Sequence, residues 1–235
     1  MISFRERSQE KEIFDLEEPN FKEISDAYCL IRHVNQYLGG TRVILNYLKY
    51  FSRSWKRQSL IRILDVGTGS ADIPQAIAIW AKKNRFRVQV TALDISAEAL
   101  RFARQETSSN PEISFIQASC FEMPFNQNSF DYIISSMFFH HLSDPEIMSV
   151  LSSFDRICKR GIIINDLLRH PAAYYGIHLL SRFTTNRVFR NDAPLSVLRG
   201  FKKREWEILL DQTGLKYLKI KRHLGYRIAI AGQKT

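Results

Sequence analysis

The residues best suited to chemistry are acids and glycines in one short segment. Residues 63–72 have the sequence Ile-Leu-Asp-Val-Gly-Thr-Gly-Ser-Ala-Asp, with Asp65, Gly67 and Gly69 in its middle. A strand that ends in such a loop before a helix allows a tight turn and lets a ligand approach the main chain. A further acid, Asp94, ends the next β-branched run, where it can accept hydrogen bonds from both hydroxyls of a ribose. The spacing predicts a nucleoside cofactor.

Two kinds of cofactor compete for a glycine loop of this type. Counting the dinucleotide pattern from Gly67 places Asp72 where a third small residue is needed, and a pyrophosphate would meet the negative charges of Asp65 and Asp72. S-adenosylmethionine has no phosphate, and its ammonium and sulfonium groups are cationic, so the acids favour it. The alternative for Asp94 is that it merely caps a helix starting near Ser96.

A second set of polar residues lies where the fourth and fifth predicted strands end. His140 and His141 follow the fourth strand, and Asp166 ends the fifth. A phenol benefits from a general base when it is methylated, and an imidazole is a suitable acceptor for its proton. The alternative is that the histidines pack or cap before the helix at Asp144. Because adjacent side chains point in different directions, we do not expect both to face one substrate. Asp166 orients a histidine or the substrate, or caps the segment after it.

The elements that must position these residues alternate between short strands and longer amphipathic helices, the pattern of βαβ units. An N-terminal helical cap is predicted over residues 1–58, before a cofactor-binding domain over 59–235 that carries a lid insertion at 166–201. The predicted strands are 61–66, 88–94, 113–117, 130–135, 162–165, 215–221 and 226–231, and the predicted helices between them are 74–83, 97–107, 145–158 and 203–213.

Over residues 60–232 the chain resembles the class I S-adenosylmethionine-dependent methyltransferases. The matching elements are the loop at 65–69, Asp94, the segment 118–124 followed by 130–132, and His-His-Leu-Ser-Asp at 140–144. The resemblance implies an α/β fold with a seven-stranded Rossmann-like sheet, mostly parallel with an antiparallel last strand at 226–231, and helices on both faces.

The resemblance also implies roles for residues around the cofactor. Asp65, Gly67 and Gly69 would flank the methionine part of S-adenosylmethionine, and Asp94 would bind the ribose. The adenine would lie on Ile95, with Ser119 and Cys120 at its edge, although many relatives carry Asp where Ser119 stands. Ser136, at the end of the fourth predicted strand, completes the expected cofactor-binding set.

A closer resemblance concerns the acceptor. Residues 165–169, 191–197 and 199–201 resemble small-molecule methyltransferases of bacterial polyketide and phenolic-lipid pathways, and more loosely the ubiquinone/menaquinone methyltransferases. This resemblance implies O-methylation of a small phenol or quinol that is aromatic and apolar. The insertion offers side chains for an aromatic lid, namely Tyr174, Tyr175, His178, Phe183, Phe189 and Phe201.

Composition leaves other partners open. The net charge of +10 suits a basic surface that attracts RNA or an anionic membrane, so RNA methylation is the rival hypothesis and a non-catalytic S-adenosylmethionine-binding scaffold is the third. Cys29, Cys120 and Cys158 are too few and too far apart for a disulfide framework or a metal signature, so no metal is expected. The first residues lack the apolar centre of a signal peptide, which predicts a cytoplasmic protein. The sequence does not indicate an oligomeric state.

Overall fold

A seven-stranded sheet organises residues 2–16 and 20–234, the part of the chain that the computed structural model describes. Its strands lie in the order β3-β2-β1-β4-β5-β7-β6. The strands are β1 (Leu60–Val66), β2 (Arg87–Asp94), β3 (Ile113–Gln117), β4 (Phe130–Ser136), β5 (Cys158–Leu167), β6 (Lys219–His223) and β7 (Arg227–Gln233).

The five strands β1 to β5 are mutually parallel, whereas β7 runs antiparallel between β5 and β6. This arrangement confirms the predicted fold class, including the antiparallel last strand. The predicted start of β6 at residue 215 is wrong, because a turn with a hydrogen bond from Leu218 N–H to the Leu215 carbonyl precedes the strand.

Nine helices surround the sheet in the described residues. They are α1 (Ile13–Leu16), α2 (Phe21–Tyr37), α3 (Gly40–Phe51), α4 (Asp72–Lys83), α5 (Ala97–Glu106), α6 (Asp144–Ile157), α7 (Pro171–Ser181), α8 (Arg187–Arg199) and α9 (Lys203–Thr213). Their ends follow local rules: Ser143 and Glu146 form a capping box at the start of α6, and Gly214 ends α9 with a φ of 68°.

Apolar residues cover both faces of the sheet, because successive strand residues point to opposite sides. Leu64 packs on one face, towards α6 and α9, whereas its neighbour Ile63 packs on the other, towards α3 and α4. The first face contains Phe154 and Trp206, and the second contains Leu48 and Ile77, all of them buried. The helices on both faces agree with the prediction, and the polar loops stay at the sheet edge.

Two parts of the chain lie over the carboxyl edge of the central strands. Residues 2–12 form neither helix nor strand, and they run along the surface made by α7 and α8. The region predicted as a lid folds as these two helices. None of the helices in residues 2–16 and 20–234 has the length and apolar character needed to cross a membrane. The proposed division at residues 58 and 59 stays a prediction.

Candidate active site

The loop between β1 and α4 places Gly67 and Gly69 at the carboxyl edge of the sheet. Their φ angles of 71° and 49° lie in the left-handed region that favours glycine. A Cβ on Gly67 would lie 2.5 Å from Cδ2 of Phe138, so the ring as well as the backbone requires glycine there. The sequence indicated close approach of a ligand at this position and did not reveal the ring.

Asp65 lies beneath this loop and accepts a hydrogen bond of 2.6 Å from the Thr68 hydroxyl. Burial, reinforced by the charges of Asp72 and Asp94, raises the pKa of Asp65 to about 7, although the hydrogen bond from Thr68 opposes the shift. A cation beside a buried carboxylate stabilises its charged form. The ammonium group of S-adenosylmethionine therefore suits this end of the loop.

Asp94 joins the loop to the end of β2. One of its carboxylate oxygens accepts the Gly69 N–H at 2.8 Å, and the other accepts the Ser96 N–H at 3.0 Å. Asp94 supports the start of α5, as the capping alternative expects, and it also lines the large cavity at this edge of the sheet. Its ribose contact stays a prediction. Each carboxylate oxygen keeps a second lone pair, so two ribose hydroxyls can still donate to it.

The residues expected around the adenine fall into two groups, those that line the cavity and those that do not. Ile95 and Ser136 line the cavity, whereas Ser119 and Cys120 do not. Ser119 accepts the N–H of Phe121, and Cys120 packs in the core. Gln117, which the sequence analysis missed, lines the cavity and donates to the Ile95 carbonyl at 3.1 Å. The adenine contact of Ser119 and Cys120 therefore has no support from the cavity and stays a prediction.

His140 and Asp166 form a buried pair at the ends of β4 and β5. His140 Nδ1 lies 2.7 Å from one carboxylate oxygen of Asp166, and the His140 backbone N–H donates to the other at 3.1 Å. Burial tends to raise the pKa of Asp166, but the charge and hydrogen bond of His140 outweigh it, so the pKa lies below its usual value. An ionised Asp166 accepts a hydrogen bond from Nδ1–H of His140, which leaves the lone pair on Nε2.

His141 lies beside His140 in the short 3-10 turn Phe139–His141, with ring centroids 4.3 Å apart. Both rings line the cavity, so the prediction that the two side chains point in different directions is wrong. The expectation that only one of them faces the substrate stays a prediction. The tight turn brings the two rings side by side. His141 Nδ1 lies 3.1 Å from Asp15, and Arg199 also contacts that carboxylate. Burial opposes ionisation of Asp15, but His141 and Arg199 hold its pKa below the usual value.

Glu12 completes this polar cluster, although it was not among the candidate residues indicated by the sequence. Its carboxylate lies 3.7 Å from His140 Nε2 and 3.8 Å from His141 Nε2, and it accepts the Ser196 hydroxyl at 2.9 Å. Burial raises the pKa of Glu12 to about 7, although the charges of His141 and Arg199 oppose the shift. No local pattern marks Glu12 as functional, because its neighbours come from distant parts of the chain.

Three groups in this cluster are close enough to share a cation. Ligand atoms of Glu12, His140 and His141 lie within 4.8 Å of one another. Arg199 Nη1 lies 3.9 Å from Glu12 and already supplies a positive charge there. The absence of a metal stays a prediction.

Hydrogen bonds fix the N-terminal segment that carries Glu12. Asp192 of α8 accepts the N–H groups of Ile13 and Phe14 at 2.8 and 3.2 Å. Closer to the N-terminus, the Ser8 N–H donates to the Leu198 carbonyl at 3.0 Å. These bonds hold residues 8–14 along α8, so Glu12, Phe14 and Asp15 become part of the cavity wall.

One cavity of about 1010 Å³ connects the glycine loop with the histidines. Ligand pockets commonly occupy about 300–1,000 Å³, so this space suits a cofactor together with an acceptor. Of the six residues proposed for an aromatic lid, Phe189 alone lines the cavity, and Phe183 is 83% exposed. The apolar wall is mainly aliphatic and includes Ile31, Val34, Leu38, Leu167, Ile177, Leu180 and Val197. Aromatic residues from outside the predicted lid also line it, namely Phe14, Tyr28, Phe138 and Tyr226.

The sheet order is that of the class I S-adenosylmethionine-dependent methyltransferase fold, and the glycine loop and Asp94 lie at the carboxyl ends of β1 and β2. The comparisons agree, since residues 63–161 match the family described as a methyltransferase domain. A solved S-adenosylmethionine-dependent methyltransferase from Aquifex aeolicus is similar in fold, with a TM-score of 0.54, 17% identity, and coverage of 95% of this chain and 97% of that chain. The family match covers less than half of this chain, and the structural similarity establishes the fold.

Two curated relatives carry names from quinone biosynthesis. Demethylmenaquinone methyltransferase of Staphylococcus epidermidis is 32% identical over 102 residues, which are 43% of this chain and 39% of that protein. The ubiquinone/menaquinone biosynthesis C-methyltransferase UbiE of Rickettsia bellii is 29% identical over 153 residues, which are 59% of this chain and 61% of that protein. The matches thus span less than two thirds of either relative.

Proposed function

We propose that this chain transfers a methyl group from S-adenosylmethionine to a small phenol or quinol. The observation that carries the proposal is His140, which lines the same cavity as the glycine loop and is held from behind by the buried Asp166. A base is useful for an acceptor whose proton must leave, and a phenol with a pKa of about 10 is such an acceptor. The aliphatic wall suits an acceptor that is mostly apolar.

The cofactor supplies a methyl group on a positively charged sulfur. Asp65 offers a negative charge to its ammonium, and Asp94 offers oxygens to the ribose. Asp166 holds Nδ1 of His140, so Nε2 takes the proton from the acceptor hydroxyl and a phenolate remains. The apolar wall keeps water away from that phenolate. His141 and Glu12 lie next to His140 Nε2 and provide the route by which its proton leaves.

A phenolate can react at its oxygen or at the neighbouring ring carbon. We propose O-methylation, as the resemblance to phenolic-lipid methyltransferases implies. Carbon methylation is the second candidate, because the Rickettsia bellii relative is named a C-methyltransferase. Both begin with the same proton transfer, and carbon methylation then also requires the methylated ring carbon to lose its proton. The choice between them lies in how the acceptor is held.

The test is transfer of a labelled methyl group by the purified protein. An alkylresorcinol, a reduced demethylated quinone and total RNA serve as acceptors, and mass spectrometry with NMR distinguishes a methoxy group from a ring methyl group. We expect labelled phenol or quinol and no labelled RNA. The His140→Ala variant should lose most of this transfer, while His33→Ala, which removes an exposed histidine of α2, should retain it.

Other outcomes would refute the proposal. Labelled RNA with unlabelled phenols would favour the RNA methyltransferase hypothesis, with the basic surface as its RNA contact. Cofactor binding without transfer to any acceptor would favour a scaffold. Contact with an anionic membrane stays a separate prediction from the net charge of +10.

A further inference from the structure

Arg227 is a buried arginine in the wall of the cavity. It is the first residue of β7 and pairs with Leu167 at the end of β5. It is 1% exposed. Arg227 lines the cavity at the edge of the sheet where the glycine loop and the histidines also lie.

Few protein groups satisfy the guanidinium of Arg227. Nη2 donates to the Asn35 side-chain oxygen at 3.3 Å, Nη1 contacts the Met137 sulfur, and Nε has no hydrogen-bond partner. Among residues 2–16 and 20–234, no carboxylate forms an ion pair with it. The buried Arg169 and Arg199 differ, because each contacts a carboxylate and backbone carbonyls.

The nearest carboxylates already have other partners. Asp166 is bound to His140, and Asp72 accepts hydrogen bonds from Asn35 and Ser70. Burial lowers the pKa of Arg227 to about 10, although the charges of Asp166 and Asp72 oppose the shift. The group therefore stays cationic at neutral pH. A buried charge without a partner is costly, and an anion in the cavity would remove that cost.

We infer that Arg227 binds a carboxylate inside the cavity, through its free Nε–H and an adjacent Nη–H. Two parallel N–H groups of a guanidinium match the two oxygens of a carboxylate. The inference rests on the proposed function for its ligand, the carboxylate of the methionine part of S-adenosylmethionine. Asn35 supports this choice, because it bonds both to Arg227 and to Asp72, the first residue of α4 after the glycine loop.

A carboxylate on the acceptor would present the same chemistry to Arg227. Binding measurements distinguish a carboxylate of the cofactor from a carboxylate of the acceptor, because each can be compared with a related compound that lacks it. S-adenosylhomocysteine carries the amino-acid carboxylate, whereas 5′-methylthioadenosine keeps the adenosine and the thioether but lacks the amino-acid part. Salicylate and phenol form the corresponding pair for the acceptor.

The experiment compares the wild-type protein with Arg227→Met and Arg227→Lys by calorimetry. Arg222→Met removes an exposed arginine from the neighbouring strand β6 and is the matched control. Arg227→Met should weaken binding of S-adenosylhomocysteine about ten- to hundredfold, because a charged hydrogen-bonded pair is lost. Binding of 5′-methylthioadenosine should change less than about twofold. Arg227→Lys should retain part of the affinity for S-adenosylhomocysteine, and Arg222→Met all of it.

Thermal melting without ligand tests whether Arg227 is only a structural support. Because none of the described carboxylates pairs with this charge, Arg227→Met should leave the melting temperature unchanged or raise it. A lower melting temperature together with equal losses for both nucleosides would overturn the inference, since Arg227 would then support the cavity as a whole.

The remaining outcomes separate the two sources. If S-adenosylhomocysteine binds Arg227→Met normally, salicylate and phenol are titrated with and without that nucleoside. A selective loss of salicylate would support a carboxylate site for the acceptor, and no loss for any carboxylate would overturn the inference. Failure of the wild-type protein to bind either nucleoside would refute the proposed function, and the salicylate titration would still test Arg227.

Discussion

Replacing Glu12 by Gln tests how the buried polar cluster responds to pH. Glu12 is 3% exposed, and burial raises its pKa from 4.5 to about 7. The folded protein therefore holds the Glu12 proton more tightly than the unfolded chain does. The stabilisation from this proton is complete below the unfolded pKa and is lost as the pH rises through the folded pKa.

The size of the effect follows from the two pKa values. A difference of one pKa unit corresponds to about 1.36 kcal/mol, so a shift from 4.5 to about 7 corresponds to about 3 kcal/mol of lost stability above neutrality. Gln stays neutral at every pH, and its amide oxygen can still accept the hydroxyl of Ser196. We therefore expect the Gln variant to be more stable by about 3 kcal/mol at about pH 8, and by less than about 1 kcal/mol at about pH 5.

Urea unfolding at these two pH values measures the difference. Glu10→Gln removes an exposed carboxylate from the same segment and serves as the control for the substitution itself. A stability advantage of Glu12→Gln that is the same at both pH values would refute the argument, because a carboxylate that ionises equally in both states produces no pH dependence. So would a Glu12→Gln variant less stable than the wild-type protein at about pH 8.

Three further predictions concern the cofactor and the base. Asp94→Ala should weaken S-adenosylmethionine binding about ten- to hundredfold in calorimetry, because ribose acceptors are lost and the Gly69 N–H loses its partner; unchanged affinity would contradict the role of Asp94. Gly67→Val should abolish cofactor binding, since its side chain would collide with Phe138, and normal binding would show that the loop can rearrange. His140→Ala should remove the acidic limb of the pH–rate profile and His141→Ala should change it less; identical profiles for both variants and the wild-type protein would exclude a histidine base.

Local spacing was sufficient to predict where the glycine loop and its neighbouring acids lie in the sheet. Short-range rules of strand, turn and helix place Asp65 near the end of β1 and the glycines directly after it. The same rules place Asp94 at the end of β2. The same alternation of strands and helices predicted the sheet. Its less regular parts were harder: β6 starts at Lys219 because a turn after Gly214 uses residues that resemble a strand in their apolar pattern.

The acceptor end of the cavity was predicted less well. The sequence indicated His140, His141 and Asp166 as candidate residues at this end. It also predicted an aromatic lid, whereas the cavity wall is mainly aliphatic and Phe201 packs in the core. Apolar spacing on a helix shows that a face is buried and does not show which neighbour covers it. The histidines were expected to diverge, and the 3-10 turn instead places their rings side by side.

The sequence by itself determined the class of fold and the position of the glycine loop with its acids, because strand, turn and helix preferences act between residues close along the chain. Tertiary structure alone decided that Glu12 lies beside the histidines and that Arg227 lies in the cavity wall without a carboxylate partner among the described residues. Those positions depend on how the N-terminal segment and β7 pack against β4, β5 and α8. Burial then sets the charge of each group, and burial is a property of the folded chain.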